Sequence, residues 1–195
     1  MRVLDLGCGF GRNITITRVP ASDEVFGVDI ALDRLQSAAK KFPSRKFVQA
    51  RAESLPFPDS AFQSIVCEVA MPYMNIPVAL NEINRILEPG GTVHFSLHAF
   101  RFTLYELRLA FPKPKALMFR LWVMVNGMIL HLTGKPAQIR GRYESFQTRR
   151  GMSIAMQHAG FEDISFSRPR DRFTKQLVVI AHKSGRMPEE LRATV

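Results

Sequence analysis

The residues best placed to do chemistry stand near the start of the chain, in Asp5-Leu6-Gly7-Cys8-Gly9-Phe10-Gly11. Three glycines at alternate positions, directly after an apolar strand, make a turn whose backbone a ligand can approach closely. Any Cβ there would stand in the way. A helix expected after Gly11 would turn its free N–H groups toward the same ligand. Eighteen residues beyond Gly11, Asp29 ends the next apolar run. A carboxylate at that place can accept two hydrogen bonds from a ribose diol. Dinucleotide-binding turns favour G-x-G-x-x-G, whose third glycine admits a packed helix. This chain has G-x-G-x-G, with an acid two residues before it, so a nicotinamide cofactor is the weaker reading.

Two further side chains are candidates for catalysis. His98 follows the fifth predicted strand and is the candidate general base, a role needed only where an acceptor must lose a proton. His94 lies four residues earlier, inside that strand, and reads as a core histidine. Tyr73 follows the fourth strand, where it either lines an acceptor pocket or packs. No metal site is expected.

The elements that must position these residues alternate. Val3 to Leu6, Val25 to Asp29, Lys46 to Ala50, Phe62 to Val69 and Thr92 to Leu97 read as strands. The fourth has the nearly unbroken hydrophobicity of a parallel strand buried on both faces. Leu32 to Lys41 reads as a helix with Leu35, Ala38 and Ala39 on one face. Val78 to Leu87 is a second, with Leu80, Ile83 and Leu87 together, and Pro89-Gly90-Gly91 reads as a turn. Such alternation makes an α/β domain with a parallel sheet, which binds ligands beyond the carboxyl ends of its strands.

The middle of the chain breaks that pattern. Phe100 to Ala110 and Leu117 to Leu132 read as helices, separated by Pro112 and Pro114, the second one weakened at Asn126-Gly127. Thr133 to Gly141 reads as a loop and Phe146 to His158 as a helix. Ile164 to Ser167 and Leu177 to Ala181 are closing strands, followed by a polar tail expected to fray after Lys183.

The net charge is +10, and it is unevenly spread. Residues 1–100 carry 10 basic and 10 acidic side chains, residues 101–150 carry 10 and 2, and residues 151–195 carry 7 and 5. The excess thus falls on the most apolar segment, which suits an anionic surface, a membrane face or a greasy substrate. The longest apolar run, Ala116 to Leu132, falls short of the ~20 residues that cross a bilayer. No leader-like segment opens at Met1, and Cys8 and Cys67 suggest no disulfide framework, so a cytoplasmic protein is expected, with peripheral membrane contact as an added feature.

With these residues in view, the chain resembles the class I methyltransferases that use S-adenosylmethionine, and within them the type 11 group, which includes quinone and other small-molecule methyltransferases. The resemblance rests on Val3 to Asn13, Gly27 to Leu35, Ala52 to Phe62, Glu82 to Gly91 and Ala159-Gly160-Phe161, in that order. It implies a doubly wound, mostly parallel, seven-stranded Rossmann-like sheet with an antiparallel last strand. It also implies a helical insert after the fifth strand, within a single domain over residues 1–195. Asp5, Gly7, Cys8, Gly9 and Gly11 would hold the methionine portion of the cofactor. Asp29 would bind its ribose and Ile30 its adenine. Ala52 and Glu53 would flank the ring, and Glu68 would lie near the sulfonium.

Three departures qualify the resemblance. Arg51 stands where relatives carry an acid that meets the adenine amino group, and an arginine cannot accept that hydrogen bond. Gln63 replaces a common acid. The chain begins at the first strand, so the N-terminal helices that close over the cofactor in relatives are expected to be missing. Residues 100–150 would form the substrate cover, with Phe111, Leu117, Met118, Phe119, Leu121, Trp122, Met124, Met128 and Ile129 as an apolar wall for a small hydrophobic acceptor. Two other readings compete. One is RNA methylation, for which Ala70-Met71-Pro72-Tyr73 lacks the polar residue that would grip an amino group. The other is a catalytically impaired cofactor-binding module.

Overall fold

Val3, Leu4 and Leu6 are strand formers with no polar face to offer water, and they become the centre of the sheet. The computed structural model describes residues 1–12, 23–167 and 177–185. The helix expected after Gly11 and most of the polar tail lie outside the described residues. Strand β1 (Arg2–Leu6) runs parallel to β2 (Glu24–Asp29) on one side and β4 (Phe62–Glu68) on the other. Beyond β2 lies β3 (Lys46–Gln49), and beyond β4 lies β5 (Leu87–Leu97), both parallel to their neighbours. The last two strands are β6 (Phe161–Ser167) and β7 (Leu177–Lys183). β7 inserts antiparallel between β5 and β6, so the seven strands stand in the order β3-β2-β1-β4-β5-β7-β6. This is the doubly wound, mostly parallel sheet with an antiparallel last strand that the sequence implies.

Helix α1 (Leu32–Lys41) follows β2 and buries Leu35 and Ala38, while Ala39 faces water. The 3-10 turn Met71–Tyr73 and helix α2 (Ile76–Ile86) follow β4. Ile76, Ala79, Leu80, Ile83 and Ile86 recur at helical spacing and are fully buried against the sheet. Three aromatic rings, Phe26, Phe57 and Phe62, meet edge to face at centroid distances of 4.9–5.7 Å. They draw the loop after β3 down onto the sheet.

Several boundaries differ from the sequence reading. Leu87 opens β5 rather than closing α2, and Pro89-Gly90-Gly91 lies within that strand. The pairing with β4 shifts register there, between Phe62 and Ser64. Gly90, at φ +75, takes up the irregularity, so the segment is a bulge rather than a turn. The helix expected from Phe146 begins at Arg149, where the Thr148 hydroxyl accepts a hydrogen bond from the Gly151 N–H and caps it.

The insert holds α3 (Phe100–Ala110) and α4 (Pro114–Thr133), and α5 (Arg149–His158) follows it. Pro114 and Lys115 fit the first turn of α4, where a missing N–H costs nothing. The helix is therefore longer than the apolar run read from sequence. It is 20 residues long, and its most apolar 18-residue stretch has a mean hydropathy of 1.4, long and apolar enough to cross a membrane by length and composition. Asn126-Gly127 does not interrupt it. The Asn126 amide donates to the carbonyls of Ala137, Tyr143 and Glu144 and its oxygen accepts from the Ala137 N–H, which ties α4 to the segment that follows.

Candidate active site

The carboxyl ends of β1, β2 and β4 and the loop after β3 surround one open cavity of about 570 Å³. Gly7 comes from β1, Asp29 and Ile30 from β2, and Glu68, Val69 and Ala70 from the end of β4. Arg51, Ala52 and Glu53 come from the loop after β3, and Tyr73 and Met74 from the 3-10 turn. Of the sequence-predicted cofactor residues, Gly7, Asp29, Ile30, Ala52, Glu53 and Glu68 thus line a single space.

Asp5, Cys8, Gly9 and Gly11 do not line it. They build the turn beneath. Asp5 and Cys8 are buried, and the N–H groups of Gly7 and Cys8 both donate to the Val28 carbonyl, at 2.7 and 3.0 Å. All three glycines have positive φ, between +52 and +76. A Cβ on Gly7 would lie 2.4 Å from that of Ala70, and one on Gly11 would lie 3.0 Å from the Phe42 ring. Two of the three glycines are therefore required by the protein's own packing as well as by backbone conformation, which the sequence reading had assigned to the ligand alone. Burial pushes both thiols upward, Cys67 to about 12 and Cys8 further still with Asp5 and Asp29 adding to it, so neither is poised as a nucleophile.

Asp29 is fixed before any ligand arrives. One carboxylate oxygen accepts from the Gly9 N–H and the other from the Ala31 N–H, each at 2.9 Å. Each oxygen keeps a further lone pair for a diol. Ile30 beside it is 63% exposed into the cavity mouth, an apolar plate for a flat ring. Glu53 is held on both sides, accepting from the Asn75 N–H at 2.8 Å and pairing with Arg51 at 3.5 Å. Arg51, which departs from the family pattern, thus turns to Glu53. Glu68 is half-buried, and desolvation raises its carboxyl above the ordinary value. A cation entering the cavity would favour the ionised form and reverse that shift. Val69 next to it has φ +60, in the left-handed region that a β-branched residue rarely adopts. Such strain concentrates at functional sites.

Two residues to which the sequence pattern assigns no role position this loop. Glu82 and Arg85 face each other across one turn of α2 at 2.9 Å. Arg85 donates to the carbonyls of Phe57 and Leu55, and Glu82 accepts from the Leu55 N–H. Together they bolt the segment carrying Ala52 and Glu53 to α2. The hydrogen bond from Arg85 holds the Glu82 carboxyl below its usual range.

His98 lies behind Tyr73 rather than in the large cavity. It is 8% exposed, with its Nε2 3.4 Å from Glu106, and Glu106 in turn pairs with Arg120 at 2.9 Å. Gln147 pairs with the His98 backbone, accepting from its N–H and donating its own N–H to its carbonyl. The Phe102 ring stands edge-on to the imidazole at 4.6 Å. Burial lowers the His98 pKa, and Glu106 opposes that shift. A polar gap of about 10 Å³ joins His98, Arg120, Glu144 and Ser145 to Tyr73, which also lines the large cavity. The sequence singles out His98 and Tyr73 but not their neighbours Glu106, Arg120 and Glu144, because partners brought from two helices and a loop share no spacing. His94 sits mid-strand, in register with Val66 and Ile180 and away from the cavity.

The expected apolar wall does not border this cavity. None of its nine residues lines the cavity, and Phe111, Met118, Leu121, Met128 and Ile129 face water.

A ligand cavity at the carboxyl ends of a sheet in this strand order defines a Rossmann-like methyltransferase fold. Residues 4–95 match the family described as a methyltransferase domain. The probable phthiotriol/phenolphthiotriol dimycocerosates methyltransferase 2 of Mycobacterium ulcerans is 36% identical over 94 residues, 46% of this chain and 36% of that protein. A demethylmenaquinone methyltransferase of Thermus thermophilus is 29% identical over 178 residues, 82% of this chain and 74% of that protein. Among solved structures, a SAM-dependent methyltransferase of Methanosarcina mazei superposes with a TM-score of 0.63 at 19% identity, over 94% of this chain and 92% of that one. The chain spans little more than a third of the mycobacterial relative. The cofactor of the family is S-adenosylmethionine. The preset carboxylate of Asp29, the exposed plate of Ile30 and the half-buried Glu68 fit a ligand with a diol, a flat ring and a cationic centre.

Proposed function

We propose that this chain transfers a methyl group from S-adenosylmethionine to a small hydrophobic acceptor that reaches the cavity past Tyr73. The observation that carries the reading is the convergence of Asp29, Ile30, Ala52, Glu53 and Glu68 on one space, with Tyr73 at its border with the His98 cluster. Two of the relatives are named for lipid-like or quinone acceptors. Both cysteines are free and buried, in keeping with a cytoplasmic setting.

When bound, the cofactor supplies a methyl group already activated on sulfur. The protein's part is to position, desolvate and manage one proton. Asp29 and Ile30 orient the nucleoside end, and Glu68 offers negative charge to the cationic end. His98 takes the proton that a hydroxyl acceptor loses, and Glu106 stabilises the imidazolium that forms. Neutral His98 is the working form, and its burial keeps it neutral at pH 7.

The test is methyl transfer to demethylated quinols and lipid phenols after calorimetric titration of the cofactor. His98→Ala is expected to keep cofactor affinity and lose about a hundredfold or more in rate. Glu106→Gln is expected to move the acid limb of the rate profile to lower pH, because the group that raises the His98 pKa is gone. Cofactor binding with transfer to RNA and to none of the apolar acceptors would defeat the reading.

A further inference from the structure

Helix α4 is apolar on every side, and such helices are ordinarily buried on every side. This one is not. Val123, Asn126, Gly127 and Leu130 face the domain. Met118, Leu121, Val125, Met128 and Leu132, three or four residues apart, are 49–69% exposed. α3 packs beside α4 and adds Phe102, Tyr105, Leu109 and the following Phe111, at 50–74% exposure. Exposed apolar side chains gathered on one helical hairpin mark a contact face.

The charge around it is of one sign. Arg101, Arg108, Lys113 and Lys115 are exposed on the same hairpin, and Lys135, Arg140 and Arg142 just beyond it. The single acid of α3 and α4, Glu106, is already paired with Arg120. A second copy of the chain is a poor occupant, because a two-fold interface sets the same patch against itself and would face cations with cations. Nor is α4 free to cross a bilayer alone. Asn126 binds it to the following segment, a Cβ on Gly127 would fall 2.1 Å from the Phe146 ring, and one on Gly151 would fall 2.5 Å from the Leu130 carbonyl.

We propose that the α3–α4 hairpin docks in the plane of an anionic lipid surface, its apolar face in the headgroup boundary and its cations against acidic headgroups. These residues do not line the cavity, so the proposal stands apart from the choice of acceptor. Trp122, the one tryptophan of the chain, lies half-buried on α4 and reports directly. Vesicles rich in phosphatidylglycerol are expected to carry the protein in flotation and to shift its emission to the blue, and phosphatidylcholine vesicles to do so weakly. Each cation near such a surface is worth about fivefold in partitioning, so Arg108→Ala with Lys115→Ala is expected to weaken binding about twenty-five-fold. Met128→Glu with Leu132→Glu is expected to lose vesicle binding and to retain the cofactor affinity of the parent, which also verifies its fold. Absence of vesicle binding, equal binding to both lipids, or a dimer that the glutamate pair dissolves would each overturn the proposal. Failure of cofactor titration alone would count against the proposed reaction and leave this surface standing.

Discussion

The parallel-sheet half and the helical insert use apolar residues in opposite ways. Among the described residues of 1–97 most of them are turned inward, and polar groups appear at the strand ends where Asp29, Glu53 and Glu68 surround the cavity. In residues 100–133 many apolar side chains turn outward, and the polar residues Asn126 and Glu106 engage the body of the protein. Large apolar side chains are thus mostly core in one half and largely surface in the other. Composition alone does not distinguish them.

Four substitutions would break or sharpen that contrast. Asp29→Ala has the largest expected effect. It removes the acceptor for two backbone N–H groups and for the ligand diol, and should lower cofactor affinity more than a hundredfold, about 3 kcal/mol, in calorimetric titration. Asn126→Ala strips four hydrogen bonds from the insert. It should cost about 2 kcal/mol in urea unfolding and leave cofactor affinity of the sheet half near the parent value. Glu82→Gln weakens the tie to Arg85 and should cost about 1 kcal/mol at neutral pH. The sign of its pH dependence follows from the lowered folded-state pKa. That carboxylate's contribution is full above the unfolded value and is lost as pH falls through the folded one, so the variant's stability should decline less steeply in acid than the parent's, as thermal melts below pH 5 would record. Leu121→Gln, on the outward face of α4, should change stability by no more than about 0.5 kcal/mol. A loss as large as a core truncation would mean that the face is covered within the protein.

Much of the sheet half was legible. Short apolar runs separated by helical periodicity have one economical arrangement, and the glycine turn and Asp29 mark the ends of β1 and β2. What the pattern concealed was partnership. Gly7 is required by Ala70, Gly11 by Phe42, and Glu82 and Arg85 by a loop 27 to 30 residues before them. Each of these contacts depends on strand order, which local sequence does not encode. Pro89-Gly90-Gly91 was read as a turn because its residue types favour one, but pairing with β4 carries the strand through it as a bulge. The insert was least legible. Its helices were visible from periodicity, but with apolar residues on all sides of α4, no periodicity says which side faces in.

That ambiguity gives Asn126 a consequence of its own. A cylinder greasy all round has little preference among rotational settings, since rolling it about its axis exchanges one apolar stripe for another at small cost. One buried amide with four fixed partners removes the degeneracy, because every other setting would forfeit those four hydrogen bonds. A single polar side chain thereby decides which row of the helix meets the outside world.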